Sequence, residues 1–90
     1  HVEDYIDLNE FFIKDMEQTF MVMAEGDSMV GANIRSGDIL IVDRSIEAQH
    51  GHIVIAGVDD NLTVKRLHIK ENEIFLKPEN DKYEPIKLNG

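Results

Sequence analysis

The chain has 90 residues, with 9 Lys and Arg against 18 Asp and Glu and a formal charge of −9. That length makes one small domain with a marginal core, and the excess of acid argues against a surface that grips nucleic acid, which needs cations to meet phosphates. With 42% apolar residues and two prolines it reads as globular, and zero cysteines exclude disulfides and thiolate chemistry while suiting a reducing cytoplasm.

No apolar run approaches the length of a membrane span, and the first residues lack the basic start and apolar stretch of a signal peptide. Residues 1–5 read as a frayed arm. Asp7-Leu8-Asn9-Glu10 has a helix-start pattern, with Asp7 as cap and Glu10 at the reciprocal position, ahead of a short helix over residues 11–13. Thr19–Ala24 is β-branched and apolar, hence a strand. Residues 25–33 turn, with room for one helical turn after Ser28. Ile39–Asp43 is a continuous apolar run, which predicts a buried strand. Ile53–Val58 is another strand, and Asp59-Asp60-Asn61 a hairpin turn that returns it as residues 62–70. Glu71-Asn72 turns again into a short strand over residues 74–77. Residues 78–85 are loop, and Ile86–Leu88 a last strand. Short strands with regular turn punctuation predict a mostly-β domain.

Two sites carry candidate chemistry. Ser28 follows Gly26-Asp27 on a tight turn after an apolar strand, and Lys65 sits in the middle of the strand Thr63-Val64-Lys65-Arg66-Leu67. A serine hydroxyl attacks only when a base takes its proton. A lysine is that base only when burial lowers its pKa. Alternation places Thr63, Lys65 and Leu67 on one strand face and Leu62, Val64 and Arg66 on the other, so Lys65 shares a face with apolar Leu67. Arg66 faces away and reads as solvated or ion-paired. On spacing alone the commoner explanation is a turn serine and a snorkelling lysine.

The remaining polar groups read as structural. Asp38 and Asp43 fit turn and strand-end roles better than a carboxylate pair. His50, His52 and His68 suggest a metal site, but no further ligand is well placed, so no metal is expected. The Asp27 side chain reads as a solvated or turn-stabilising carboxylate, and Met29 as packing beside the serine.

Taken in order, Gly26-Asp27-Ser28-Met29, then Ser36-Gly37-Asp38-Ile39-Leu40-Ile41-Val42-Asp43, His50-Gly51-His52-Ile53-Val54-Ile55-Ala56, Thr63-Val64-Lys65-Arg66-Leu67 and Leu76-Lys77-Pro78-Glu79-Asn80 closely resemble the LexA/UmuD family of self-cleaving proteins. The resemblance spans roughly residues 5–88. It implies a twisted, curved β-sheet peptidase domain over residues 1–90 with at most one or two helical turns. It implies Ser28 as nucleophile, Lys65 as general base and the backbone N–H groups of Asp27 and Ser28 as oxyanion donors, with no cofactor.

Members of that family cut themselves in an arm ahead of the domain, at a Cys-Gly or Ala-Gly bond. No such arm is read here, nor the family's last apolar strand, so the chain is expected to be a trimmed form. Ala56-Gly57 is the right dipeptide but falls within a strand and is rejected as substrate. Asp4-Tyr5-Ile6-Asp7-Leu8-Asn9-Glu10 and Gly26-Asp27-Ser28-Met29 resemble the UmuD branch more than the repressor branch. That branch implies a cytoplasmic SOS mutagenesis protein: a homodimer, trimmed under stimulation by a RecA–single-stranded-DNA filament, that joins a UmuC-like translesion polymerase. The alternative is the self-cleavage and dimerisation half of a LexA-type or phage repressor. A signal peptidase shares the Ser-Lys logic but needs a membrane anchor. A non-catalytic binding module that retains a spent dyad is the remaining class.

Overall fold

The computed structural model describes the backbone of residues 2–7 and all of residues 19–88. The described residues form seven strands in two antiparallel sheets, with one 3-10 turn. The first sheet runs β1 (Val2–Asp7), β2 (Thr19–Ala24), β3 (Ile39–Asp43), and the second β4 (Ile53–Val58), β5 (Asn61–Lys70), β6 (Glu73–Lys77), β7 (Ile86–Leu88). The mostly-β expectation holds, and the single 3-10 turn, Val30–Ala32, comes just after Ser28 as the sequence predicts.

Two expectations are corrected. Residues 2–5 are not a frayed arm, residue 1 lying outside the described residues: β1 pairs with β2 from Val2 opposite Ala24 to Asp7 opposite Phe20, with an irregularity between Val2 and Asp4. Backbone ladder bonds can order a polar segment that side-chain pattern alone leaves open. Nor is β3 buried on both faces. Leu40 and Val42 pack on the core, while Ile39 and Ile41 are 54% and 73% exposed. A continuous apolar run reads the same whether one face or both are covered. The helix expected over residues 11–13 lies outside the described residues.

The second sheet is built from two tight hairpins. Val58 pairs with Asn61 across Asp59-Asp60, and Lys70 pairs with Glu73 across Glu71-Asn72. All four loop residues have positive φ, from 49° to 68°. Both turns therefore have the left-handed central residues whose twist matches that of the flanking strands. This makes β5 an inner strand, paired with β4 on one side and β6 on the other. Its centre is covered on both faces: Thr63, Val64 and Lys65 are all buried. Val64 joins Val22 of β2 and Met29 in the core, with Phe20, Leu40 and Ile55 packed around them. The core thus lies between the sheets, and Met29 packs there directly after Ser28 in sequence.

A strap ties the sheets together. Residues 78–85, between β6 and β7, run back to the turn that follows β2. The Glu79 N–H donates to the Ser28 carbonyl at 2.8 Å, and the Gly31 N–H donates to the Glu79 carbonyl at 2.9 Å. Arg66 anchors the strap from the far face of β5, donating from Nε to Glu79 at 2.6 Å and from an η nitrogen to the Gly51 carbonyl at 2.6 Å. Arg66 is thus ion-paired, one of the two outcomes expected of it.

The strap approaches Gly31 so closely that a Cβ there would sit 2.6 Å from the Glu79 carbonyl oxygen, whereas a Cβ on Gly57 of β4 would meet nothing within 4 Å. Gly31→Ala is therefore expected to destabilise by about 1–3 kcal/mol through overpacking. Gly57→Ala is expected to be neutral or to stabilise by up to about 1 kcal/mol, since glycine disfavours a strand. Thermal unfolding of the two variants checks the contrast, and equal melting temperatures would refute it.

Candidate active site

Ser28 and Lys65 are 37 residues apart in sequence and meet in space, with Lys65 Nζ 3.0 Å from Ser28 Oγ. Each comes from a different sheet. Ser28 sits on the turn leaving β2, which bends through Gly26 at φ 84°, a left-handed conformation that strains any residue with a Cβ. Lys65 projects from the centre of β5. Both are nearly closed to solvent, 7% exposed for Ser28 and 6% for Lys65.

Three oxygens surround the Lys65 amine: Ser28 Oγ, Thr63 Oγ1 at 2.8 Å and the Val64 carbonyl at 3.0 Å. No described carboxylate forms an ion pair with it. Burial without a counter-charge disfavours the ammonium and holds the Lys65 pKa below the ordinary 10.5. Hydrogen-bond capacity fits a neutral amine equally well. The Val64 carbonyl can only accept, so it takes one N–H, and Thr63 Oγ1 takes the other. The lone pair is then left facing the Ser28 hydroxyl. Thr63 lies two residues from Lys65 on the same strand face. That spacing is visible in the sequence, whereas the bond from the amine to Thr63 Oγ1 appears only in the fold.

The pair opens onto a groove of about 560 Å³, walled by Glu25, Gly26 and Asp27 on one side and Tyr83, Glu84 and Ile86 on another. The Asp27 carboxylate is turn-stabilising, as expected, but through distant partners. It accepts from the Tyr83 hydroxyl and from Lys82 Nζ at 2.9 Å. The Tyr83 bond, then the Lys82 bond and charge, lower the Asp27 pKa, and the same carboxylate raises those of Lys82 and Tyr83. The Asp27 carbonyl accepts from Asn80 Nδ2 at 2.9 Å. Among the described residues, neither the Asp27 nor the Ser28 N–H donates to a protein acceptor. The sequence places Asn80, Lys82 and Tyr83 in a loop, Asn80 within a stretch that resembles the family, and nothing local ties any of them to a turn more than 50 residues earlier.

The other candidates lie apart from this groove. Asp38 accepts from the Arg35 N–H at 2.8 Å, and Asp43 accepts from Ser45 N–H and Oγ at 2.9 and 2.6 Å, both local turn roles. Those Ser45 bonds lower the Asp43 pKa. His50 and His52 precede β4 rather than lying on it, and their Nδ1 atoms accept from different amides, Ile69 and Gln49. His68 meets His50 edge-on, with ring centroids 4.9 Å apart. Among the described residues no three His, Asp or Glu side chains converge as a metal site. Ala56 and Gly57 are tied into the β4–β5 ladder opposite Thr63 and Leu62. No described helix is long and apolar enough to cross a membrane.

Residues 1–90 match the Peptidase S24-like family over their full extent. The chain belongs to the peptidase S24-like family. Its relatives include the LexA repressor of Shewanella denitrificans, 40% identical over 89 residues, and that of Clostridium kluyveri, 38% identical over 86. The matches cover 99% and 96% of this chain but 43% of each relative, so the chain spans less than half their length.

The buried amine gives this S24-like domain a testable pH signature. Because the folded pKa of Lys65 lies below the unfolded value, the folded chain binds fewer protons between the two, and stability rises with pH across that window. Below the folded value, folding must bury a charged amine. Lys65→Met is expected to melt higher than the unmodified chain near neutral pH. The gap should narrow as pH approaches the ordinary lysine value. Melting curves across pH test this, and a gap independent of pH would count against it.

Proposed function

We propose that this domain is the self-cleaving half of a LexA-type repressor, hydrolysing one peptide bond in an arm of its own polypeptide with Ser28 as nucleophile and Lys65 as general base. The observation that carries the proposal is the buried 3.0 Å contact between Lys65 Nζ and Ser28 Oγ, with no carboxylate among the described residues paired to the amine. The LexA repressor names of the relatives support the repressor branch better than the UmuD branch.

The proposed steps draw on Ser28, Lys65 and the Asp27 and Ser28 N–H groups. Neutral Lys65 takes the Ser28 proton as Oγ bonds to the scissile carbonyl carbon. The Asp27 and Ser28 N–H groups stabilise the oxyanion that forms. Lys65 then gives its proton to the leaving amine as the C–N bond breaks and an ester forms on Ser28. Water, losing a proton to Lys65, attacks that ester. The acid product leaves and the proton returns to Ser28 Oγ. Thr63 and the Val64 carbonyl hold two of the amine's N–H bonds, so its third position, lone pair or transferred proton, stays aimed at Ser28.

In this reading the domain is a homodimer whose cleavage is stimulated by a RecA–single-stranded-DNA filament in the cytoplasm. The second reading, a UmuD-like accessory subunit of a translesion polymerase, keeps the same chemistry. It is favoured by the Gly26-Asp27-Ser28-Met29 sequence, in which the turn carries an acid before the serine. The natural gene product separates the two. A repressor needs a product more than twice this length whose additional part binds duplex DNA. A product with only a short arm would sink the repressor reading.

Incubating the natural full-length product and following it by intact mass tests the chemistry. One cut is expected ahead of this domain, abolished by Ser28→Ala and slowed at least about 10³-fold by Lys65→Ala. Its rate should rise with pH and level off at a pH below the ordinary lysine value of 10.5. Cleavage that persists in Ser28→Ala would refute the assignment.

A further inference from the structure

We propose that Asn80 is the positioning residue of the oxyanion site, aiming the Ser28 N–H, and that the Asp27 carboxylate with Lys82 and Tyr83 forms the clasp that keeps Asn80 there. The inference rests on the hydrolase reading above and deepens it.

The argument begins with the peptide unit. The Asp27 carbonyl and the Ser28 N–H belong to one planar peptide, and no peptide bond among the described residues is cis. In a trans peptide the C=O and N–H point in opposite directions. Fixing the oxygen therefore fixes the donor. Asn80 Nδ2 holds that oxygen at 2.9 Å, reaching 53 residues back along the chain. The Ser28 N–H is thereby aimed away from Asn80.

Asn80 is itself oriented from both ends of its amide. Its Oδ1 accepts from the Lys82 N–H at 3.0 Å, so its Nδ2 faces the Asp27 carbonyl. The loop that carries it is then closed on the same turn by side chains: Lys82 Nζ and the Tyr83 hydroxyl both donate to the Asp27 carboxylate. On the other flank the Glu79 N–H holds the Ser28 carbonyl at 2.8 Å, fixing the next peptide as well. Both peptide planes flanking the Ser28 α-carbon are thus held by residues 79–83, and the Val30 N–H adds a longer bond of 3.4 Å to the same Asp27 carbonyl. The circuit runs from Asp27 through Lys82, Asn80 and back to Asp27, and Tyr83, which joins it at the Asp27 carboxylate, also walls the groove.

Such a circuit acts on rate more than on the base. Loosening it lets the Ser28 donor swing, and misplacement by about 1 Å can lower a rate about 10²-fold. Lys65 touches none of these groups, so its titration should stay where it is. The experiment follows self-cleavage of the natural full-length product across pH, per folded molecule. Asn80→Ala is expected to lower the plateau rate about 10- to 100-fold without moving the pH at which the rate is half-maximal. Tyr83→Phe, which leaves Asn80 in place and removes one bond of the clasp, is expected to show a smaller loss of the same kind. Where Asn80→Ala does not fold, Asp27→Asn combined with Tyr83→Phe opens the clasp from its other end and should give the same signature. A plateau within twofold of the unmodified protein would overturn the proposal. So would a loss accompanied by a shift of the half-maximal pH towards 10.5, which would mean that the loop only shields Lys65. Absence of any Ser28-dependent cleavage in the unmodified protein would overturn the hydrolase reading itself, and the clasp with it.

Discussion

The organisation of this domain depends on one uncompensated amine. Lys65 lies at the centre of an inner strand, 6% exposed, with three oxygens around it and no paired carboxylate among the described residues. A buried carboxylate beside it would favour the ammonium, the form that cannot act as the base proposed for it. Leaving the amine unpaired opposes folding, so the rest of the domain must supply the offsetting burial. It does so with Val22, Met29 and Val64 packed between the sheets immediately beside the site. Core and site share residues in sequence, since Met29 follows Ser28 and Val64 precedes Lys65.

Because Ser28 leaves the first sheet and Lys65 stands in the second, the contact between them exists only when the sheets are docked. The strap of residues 78–85 makes that docking specific. It is bonded to β5 through Arg66 and Glu79, and to the serine turn through Glu79, Asn80, Lys82 and Tyr83. Exposed ion pairs contribute little one by one. Here the backbone bonds fix position, and the side-chain pairs restrict how far the loop can swing.

Local chemistry was legible in the sequence wherever it was local. The two hairpins, the strand pattern around them and the facing of Lys65 with Thr63 and Leu67 follow from turn residues and period-two alternation. The turn roles of Asp38 and Asp43 follow from neighbours two or three residues away. What was missed is non-local or depends on which face is covered. The β1 segment carries charged residues at Glu3, Asp4 and Asp7, and its order comes from backbone pairing with β2. The β3 run looks buried although Ile39 and Ile41 are open to solvent. They line a second, apolar groove of about 950 Å³ between the free edges of β3 and β4. The partners of Asp27 lie 53 to 56 residues away. No window of sequence contains both halves of that contact.

A domain of charge −9 is an unfavourable host for a neutral lysine, because surrounding negative potential favours the ammonium. The distances involved decide which effect wins. Diffuse surface charge is screened within about 8–10 Å at physiological ionic strength. Desolvation acts on the amine itself and is not screened, and it is the cause that lowers the Lys65 pKa. The groove itself carries three acids, Glu25, Asp27 and Glu84. Of these, Asp27 is adjacent in sequence to the serine, and it is the one paired with a cation and a phenol. The proposed clasp thus also pairs the carboxylate that would otherwise repel an oxyanion formed beside Ser28. A carboxylate next to the serine is in this way compatible with negative charge developing at the Ser28 N–H, while the amine is governed by its own desolvation.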